Sequence, residues 1–537
     1  MATPGHLNYP AGMIHPRRPE TPPARQRSPL HNIGEWPSHW ARIKPSAPAL
    51  KDPEKEIDWA TFADRTQRMA GWLVSRGLVP GDRVALLLRN RTEYLEILFG
   101  TTRMGGISFP INLRLTPREI AFQIDDCRPA ALFFEADLAE RVEEALALTR
   151  HVPTLQIAID SAESAYEASL GGAVPLEEAV AVIADDPAIL MYTSGTTGTP
   201  KGALLPHRKT LYNALNAAEN FEISDDDRVL VVAPLFHSLG LQILALPLLY
   251  SGGSLVLQER FDPEAVWDAV EKEPITYFGG VPAMHQRLYD TLAARSRRPI
   301  PHLRFVFSAG SAISSELIRD FSSEGILVLQ GYGQTETSTL SCINAEEALR
   351  RAGSVGKPVR HAEVRIIRLE SADRPPDAWE DVEAGETGEI VVRGPINMVG
   401  YWERPSETAE TLIEGWIRTG DLARRDEEGF LTLVGRAREM LISGGENVYP
   451  AEIETVYREH PSIREIAVVG IPDPTWGEIP RAHILLEPEM TLDPGSLEQW
   501  GRERLAAFKL PRKIVIEEDF PRTASGKIQK HLLRDPG

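Results

Sequence analysis

From about residue 185 onward, short apolar runs alternate with helical stretches. Ala188 to Tyr192, Val229 to Val232, Ser254 to Leu257, Thr276 to Phe278, Arg304 to Phe307 and Ile326 to Leu329 are apolar runs of strand length, which predicts buried strands. Between them, Pro263 to Glu273 and Ser314 to Ser323 predict helices, with apolar residues at helical spacing such as Val266, Ala269 and Val270. Alternation of this kind implies parallel sheets covered by helices. Trp59 to Phe134 repeats it and predicts a second such sheet. The most apolar stretch, Leu239 to Tyr250, is too short to span a bilayer and runs into Ser251-Gly252-Gly253, so it reads as a buried helix.

After about residue 355 the rhythm changes. Val364 to Arg368, Gly388 to Arg393 and Gly429 to Gly435 read as strands with no long helix between them, a small and mostly antiparallel β lobe; Ser371 to Glu386 is rich in Pro, Asp and Glu and reads as a loop. From Ala437 a mixed pattern begins, with strands at Ile466 to Val469, His483 to Leu486 and Lys513 to Glu517 and a helix at Gly495 to Ala507. The fold class expected is α/β: a large N-terminal domain of two helix-covered, mostly parallel sheets plus the small β lobe (31–436), then a mobile α+β C-terminal domain (437–537). Residues 1–30, rich in Pro and Arg, read as a disordered tail.

Composition narrows the function classes. A chain of 537 residues exceeds one ordinary core. A formal net charge of -19 argues against general nucleic-acid binding, which needs a basic footprint. Two cysteines, Cys127 and Cys342, provide neither a disulfide framework nor a zinc cluster and fit a reducing compartment, so a cytoplasmic protein is expected. The oligomeric state stays open, a homodimer included.

The strongest chemical signal is TSGTTGTPKG, Thr193 to Gly202, directly after a predicted strand. Its glycines and hydroxyls suit a loop whose N–H groups and side chains wrap a polyphosphate, and Lys201 adds a positive charge. It is not a Walker A loop, because Pro200 precedes the lysine and Gly202 follows it. GYGQTET, Gly331 to Thr337, follows another buried run, where open α/β sheets bind ligands. Its Glu336 is a carboxylate suited to Mg2+, and Tyr332 offers a flat face to a base. From Gly501 to Gly537, nine Lys and Arg stand against five Asp and Glu, so this end is locally basic.

The glycine loop resembles the phosphate loop of the acyl-adenylate-forming superfamily: acyl- and aryl-CoA synthetases, peptide-synthetase adenylation domains and luciferases. Further segments follow in that family's order: Ala309 to Ala312 (AGSA), GYGQTET, Thr419 to Asp421 (TGD), Gly435 to Glu454 and Pro521 to Lys530 (PRTASGKIQK). The similarity runs from about residue 30 to the end. It implies that Thr193, Ser194, Gly195, Thr196, Thr197, Gly198 and Lys201 cradle phosphates, with Glu336 and Thr197 toward Mg2+. It also implies that Gly310, Ser311, Tyr332, Gly333 and Thr335 surround the nucleotide, that Asp421 takes the ribose hydroxyls, and that Arg436 assists there. Lys527 would be the adenylation lysine.

In the family the C-terminal domain pivots two residues after the Gly-Arg arginine, usually at Asp or Lys. Here that residue is Arg438, a departure from the pattern, and rotation is still expected. It would bring Gly444 and Gly445 to the active site and open a channel for the pantetheine arm. Pro234 to Leu241, PLFHSLGL, resembles the acid-pocket segment of CoA ligases, with His237 at the junction of acid and thiol. The Pro474 to Glu478 stretch, which contains Trp476, resembles their C-terminal domain. The resemblance therefore implies an ATP-dependent carboxylic acid–CoA ligase using ATP, Mg2+ and coenzyme A, the alternatives being an adenylating enzyme that loads a carrier protein and a nucleotide-binding protein without turnover. Pocket segments near Tyr212, Ser238, Leu239, Leu241, Gly279, Gly310, Gly331 and Thr337 to Ser341 are small or apolar and show no fixed charge. They predict a hydrophobic acid, aliphatic or aryl, with the three glycines leaving room for a ring.

Overall fold

The computed structural model describes residues 32–160, 165–193, 200–295, 299–311, 313–443, 446–473, 476–505, 507–522 and 527–534. Contacts divide the chain into two units, one of residues up to 363 with 392–417, the other of 364–391 with 418–537.

The first unit holds two sheets. One is ordered Lys357–Pro358, Ser338–Cys342, Val328–Gln334, Phe305–Ser308, Tyr277–Gly280, Arg228–Val231, Ser254–Leu257, Pro48–Lys51, Glu56–Asp58. Its strands run parallel from Val328–Gln334 to Pro48–Lys51, with antiparallel partners at both edges. The other is ordered Gly400–Tyr401, Lys201–Pro206, Pro187–Thr193, Ile107–Pro110, Arg83–Leu87, Ala131–Glu135, Leu155–Ile159, antiparallel only at the Lys201–Pro206 edge. The central strands are buried on both faces, so their sequences read as continuous apolar runs. Helices close over them: Val266, Trp267, Leu317, Ile318 and Phe321 form one buried cluster with strand residues Leu230, Phe278, Val306 and Val328. Asp262 caps the helix Pro263–Lys272 by accepting from the N–H groups of Glu264 and Ala265, and Ser314 caps Ser315–Ser323 through Leu317.

The predicted apolar helix is present with a different winding. Leu239–Ala245 is a π-helix, continuing as the α-helix Leu246–Ser251. Among the described residues, no helix is long and apolar enough to cross a membrane.

In the second unit, Ile463–Asp473 and Gly477–Leu486 form a long antiparallel ladder, flanked by Leu441–Ser443 and by Lys513–Ile516, the latter parallel. The helix Pro450–Arg458 packs on it through Ile453 and Tyr457, against Val468, Ile484 and Leu497. The lobe strands Glu363–Ile367, Thr387–Arg393, Trp416–Arg425 and Leu431–Arg436 lie side by side. Leu422 and Val434 of the lobe share a buried cluster with Tyr449, with Ala437 and Met440 packed on it. By contacts the lobe therefore groups with the residues after 437, a division that differs from the sequence boundary at 436.

Candidate functional site

In the first unit, the strand Pro187–Thr193 turns back antiparallel as Lys201–Pro206, with Thr193 opposite Lys201, so both rims of the glycine loop are fixed by a ladder. Thr193 Oγ1 donates to the Lys201 carbonyl at 3.4 Å. Behind this ladder, the Tyr192 hydroxyl donates to Asp126 at 2.6 Å, and Arg404 grips the same carboxylate at 2.6 Å. Ser194, Gly195, Thr196, Thr197 and Gly198 lie outside the described residues.

GYGQTET forms a hairpin. Tyr332 and Gly333 belong to the strand Val328–Gln334, which pairs with Ser338–Cys342, and Gln334 N–H donates to Thr337 Oγ1 across the turn at 3.1 Å. Gly333 is required there, because a Cβ would meet the Ser338 carbonyl at 1.9 Å. Thr335 and Glu336 sit at the partly exposed tip. The Glu336 carbonyl accepts from Met398 N–H at 2.8 Å, and its Oε1 accepts from the Tyr401 hydroxyl at 2.9 Å. Lys201 Nζ lies 5.4 Å from the centroid of the Tyr401 ring. Tyr401, whose strand pairs with Lys201–Pro206, thus joins the phosphate-loop lysine to the hairpin carboxylate. The sequence reading missed Tyr401; the MVGYW run that carries it has no chemical signature of its own.

With one oxygen engaged by Tyr401, the Glu336 carboxylate has a second oxygen that could ligate a hard cation such as Mg2+. Gly310 (φ +90°) and Ser311 are exposed after the strand Phe305–Ser308. His237 stands two residues before the π-helix, its carbonyl accepting from Leu241 N–H at 3.1 Å and its ring 4.7 Å from Phe236. Of the three glycines expected to leave room for the acid, Gly310 has, among the described residues, only Val281 nearby, 3.3 Å from a built Cβ. Gly279 and Gly331 are already filled: a Cβ would meet Leu244 at 3.0 Å and the Phe307 ring at 2.7 Å. They admit neighbouring side chains, not open space.

One buried cation near the hairpin was not singled out from the sequence. Lys209, on the helix His207–Phe221, is fully buried and donates to Ser338 Oγ at the root of the hairpin. Burial pushes its pKa down to about 7, the nearby Glu336 charge pulling the other way. A lysine is almost never fully buried without a partner, so nothing in the sequence pattern marks this one as interior.

In the second unit, Asp421 and Arg436 are opposite one another on adjacent strands, with Arg436 Nε 2.6 Å from Asp421 Oδ1. Gly420 has φ +67° within the strand Trp416–Arg425, and Thr419 Oγ1 both donates to the Ile390 carbonyl at 2.7 Å and accepts from Asp421 N–H at 3.1 Å. The carboxylate is thereby held in one orientation, as binding paired hydroxyls requires. Arg438 lies exposed in the turn Ala437–Glu439. Lys527 is exposed, and the following segment is tied down by Gln529 N–H to the Pro521 carbonyl at 2.8 Å and by Lys530 to Glu439 and Glu454 at 3.0 and 2.8 Å. Trp476 is 40% exposed, with the Arg512 guanidinium 4.8 Å above its ring. Gly444 and Gly445 lie outside the described residues.

Residues 38–402 match the AMP-binding enzyme family and residues 452–527 the AMP-binding enzyme C-terminal domain. The chain is 37% identical over 503 residues to a feruloyl-CoA synthase of Amycolatopsis sp, covering 94% of this chain and 98% of that one. It is 38% identical over 515 residues to the indoleacetate–CoA ligase of Aromatoleum aromaticum, covering 94% and 97%. Among solved structures, the o-succinylbenzoate CoA synthetase of Bacillus subtilis in complex with its acyl-adenylate intermediate superposes with a TM-score of 0.83 at 30% identity, covering 94% of this chain and 98% of that one.

Proposed function

The chain belongs to the AMP-binding enzyme family, and we propose that within it this protein is an acid–CoA ligase acting on a hydrophobic aryl or fatty acid. The substrate carboxylate attacks the α-phosphorus of ATP, forming acyl-AMP and releasing pyrophosphate. The thiol of coenzyme A then attacks the acyl carbonyl, forming the thioester as AMP departs. Adenylation comes first because it replaces a very poor leaving group by a good one.

The observation that carries this reading is the Lys201–Tyr401–Glu336 array beside the rims of the glycine loop. It sets a cation and a carboxylate where a nucleotide polyphosphate and its metal both need partners. Thr193, Ser194, Thr196, Thr197 and Lys201 take the phosphates. Glu336 holds Mg2+, which when bound supplies charge neutralisation to the phosphates. Asp421, fixed by Arg436, accepts the ribose hydroxyls. Lys527 stabilises charge developing on the α-phosphate and the attacking carboxylate. Relatives named for feruloyl, indoleacetate, long-chain fatty and 2-succinylbenzoate substrates support the acid class and free CoA as acceptor.

The test is pyrophosphate release with Mg-ATP across fatty, aryl and arylalkanoic acids, with and without CoA. Multiple turnover that requires CoA is expected; release indifferent to CoA would point to a carrier protein as acceptor, and no release with any acid would overturn the reading. Lys527→Ala should lower the rate of pyrophosphate release about 10²–10³-fold, and an unchanged rate would remove Lys527 from its role.

A further inference from the structure

Asp126 stands in the last turn of the helix Pro117–Cys127, and three groups converge on it. The Tyr192 hydroxyl donates to one carboxylate oxygen at 2.6 Å and the Arg404 guanidinium to the other at 2.6 Å, while the Asp126 carbonyl accepts from Trp402 Nε1 at 3.0 Å. The carboxylate side chain is only 12% exposed, and Trp402 is fully buried. Hydrogen bonds to an ionised group in such surroundings are of the stronger kind. Burial raises the Tyr192 pKa, so its hydroxyl stays protonated and stays a donor.

Each partner of Asp126 reaches a different piece of the phosphate site. Tyr192 is the residue before Thr193, where the glycine loop is entered, and it stands opposite Gly202, where the loop is left. A Cβ on Gly202 would lie 3.3 Å from the Tyr192 ring, so the two rims are packed without slack. Trp402 N–H donates to the Gly202 carbonyl at 2.7 Å. Between Gly400 and Trp402 stands Tyr401, whose hydroxyl holds Glu336 and whose ring faces Lys201. Glu403, the next residue but one, has φ +49° and pairs with Arg128, two positions past Asp126. A left-handed non-glycine residue persists where its surroundings impose it, and here they are the end of this helix. Bonds that merely secured the sheet edge could fall anywhere along the strands. These fall at the entry of the loop, at its exit and on either side of Tyr401.

Resting on the nucleotide site of the ligase reading above, we infer that Asp126 is a positioning residue for Mg-ATP. Acting through Tyr192 and the segment from Tyr401 to Arg404, it sets the rims of the glycine loop and the Lys201–Tyr401–Glu336 array at the spacing that the outer phosphates and their metal require. Its effect falls on the β- and γ-phosphates and the metal, and not on the nucleoside.

The experiment is calorimetric titration of the full-length protein with Mg-ATP and, separately, with AMP, in the absence of acid and CoA. In Asp126→Ala the Kd for Mg-ATP should rise about tenfold, while AMP, which lacks the outer phosphates, should keep its wild-type affinity. Asp126→Asn keeps an acceptor for Tyr192 and gives up the charge facing Arg404, so its loss should be the smaller. Combined with Tyr401→Phe, Asp126→Ala should cost less than the product of the two single losses, because both act on one array. An unchanged Kd for Mg-ATP, a Kd for AMP that rises in step with it, or full additivity with Tyr401→Phe would overturn the inference. If Asp126→Ala does not fold, Asp126→Asn decides by the same comparison of the two nucleotides. Wild-type protein that binds neither nucleotide would instead remove the nucleotide site and this inference with it, whereas binding of Mg-ATP without turnover of any acid would sink the ligase reading alone.

Discussion

Two buried helices of the first unit treat charge in opposite ways. Thr92–Arg103 is buried along its whole length and carries Glu93, Glu96 and Arg103 inside. Each has partners: Glu93 lies 2.6 Å from Lys55 and 2.8 Å from Arg91, Glu96 lies 2.7 Å from Arg65 and accepts from the Tyr166 hydroxyl at 2.6 Å, and Arg103 donates to the Leu176 carbonyl at 2.7 Å and to Ser38 at 3.1 Å. His207–Phe221 buries Lys209 against a single hydroxyl. In the first helix each charge is matched by an opposite charge or a set of acceptors; in the second, Lys209 has a hydroxyl and the nearby Glu336 charge to set against the cost of its burial.

The contrast can be broken at its strongest point. Glu96→Ala leaves the Arg65 guanidinium to Glu167 and takes the acceptor from the buried Tyr166 hydroxyl, and should destabilise the first unit by about 3 kcal/mol, read as a shift in denaturant midpoint. Acid tests the same network without mutation. Burial acts to raise the Glu93 pKa, but Arg91 and Lys55 outweigh it and lower the group from 4.5 to about 2. Its stabilisation is complete above the unfolded-state value and is lost as pH falls from there through about 2. Stability should drop by about 3 kcal/mol over that window in a pH series of urea melts, and less in a Glu93→Gln variant.

Lys209→Met should act in the other direction. Replacing an under-paired buried cation with an apolar side chain of similar length should raise the stability of the ligand-free protein by about 1 kcal/mol or more, visible as a higher melting temperature. A loss of stability there would mean that the hydroxyl and the Glu336 charge outweigh the cost of burial. The smallest effect belongs to Tyr401→Phe, which removes one hydrogen bond to Glu336 and should weaken use of Mg-ATP by about 1 kcal/mol, seen in KM for Mg-ATP with the melting temperature unchanged.

Legibility followed the same division. The parallel strands Arg228–Val231, Ser254–Leu257, Tyr277–Gly280 and Phe305–Ser308 lie within two residues of their expected bounds, because a strand buried on both faces is a bounded apolar run with little else to be, whereas Val328–Gln334 runs on five residues into the glycine-rich segment. The strand Lys201–Pro206 went unseen because it begins inside the glycine loop, where chemistry masks periodicity. GYGQTET was read as a segment after a strand, whereas Gly331 to Gln334 are strand and only Thr335 to Thr337 turn. The apolar run at Leu239 gave a helix but could not give its winding, since α and π turns bury the same residues. Asp421 and Arg436 were named from their motifs, and their pairing across a ladder follows from register, which only the folded lobe sets. Lys209 was illegible on principle: polar residues at a helix start look solvent-facing until a hairpin closes over them.

The π-helix has a consequence for how such a protein changes over time. A π turn is an α-helix that has accepted one residue too many. Removing one residue between Leu239 and Ala245 would let the segment relax into ordinary helix, changing which side chains that turn presents while the helix Leu246–Ser251 keeps its place. The wall next to His237 can thus be re-faced by a single-codon deletion, with no substitution of any side chain. Chain length itself becomes a heritable variable at this position, and a lineage could exchange one acid for another by losing a residue.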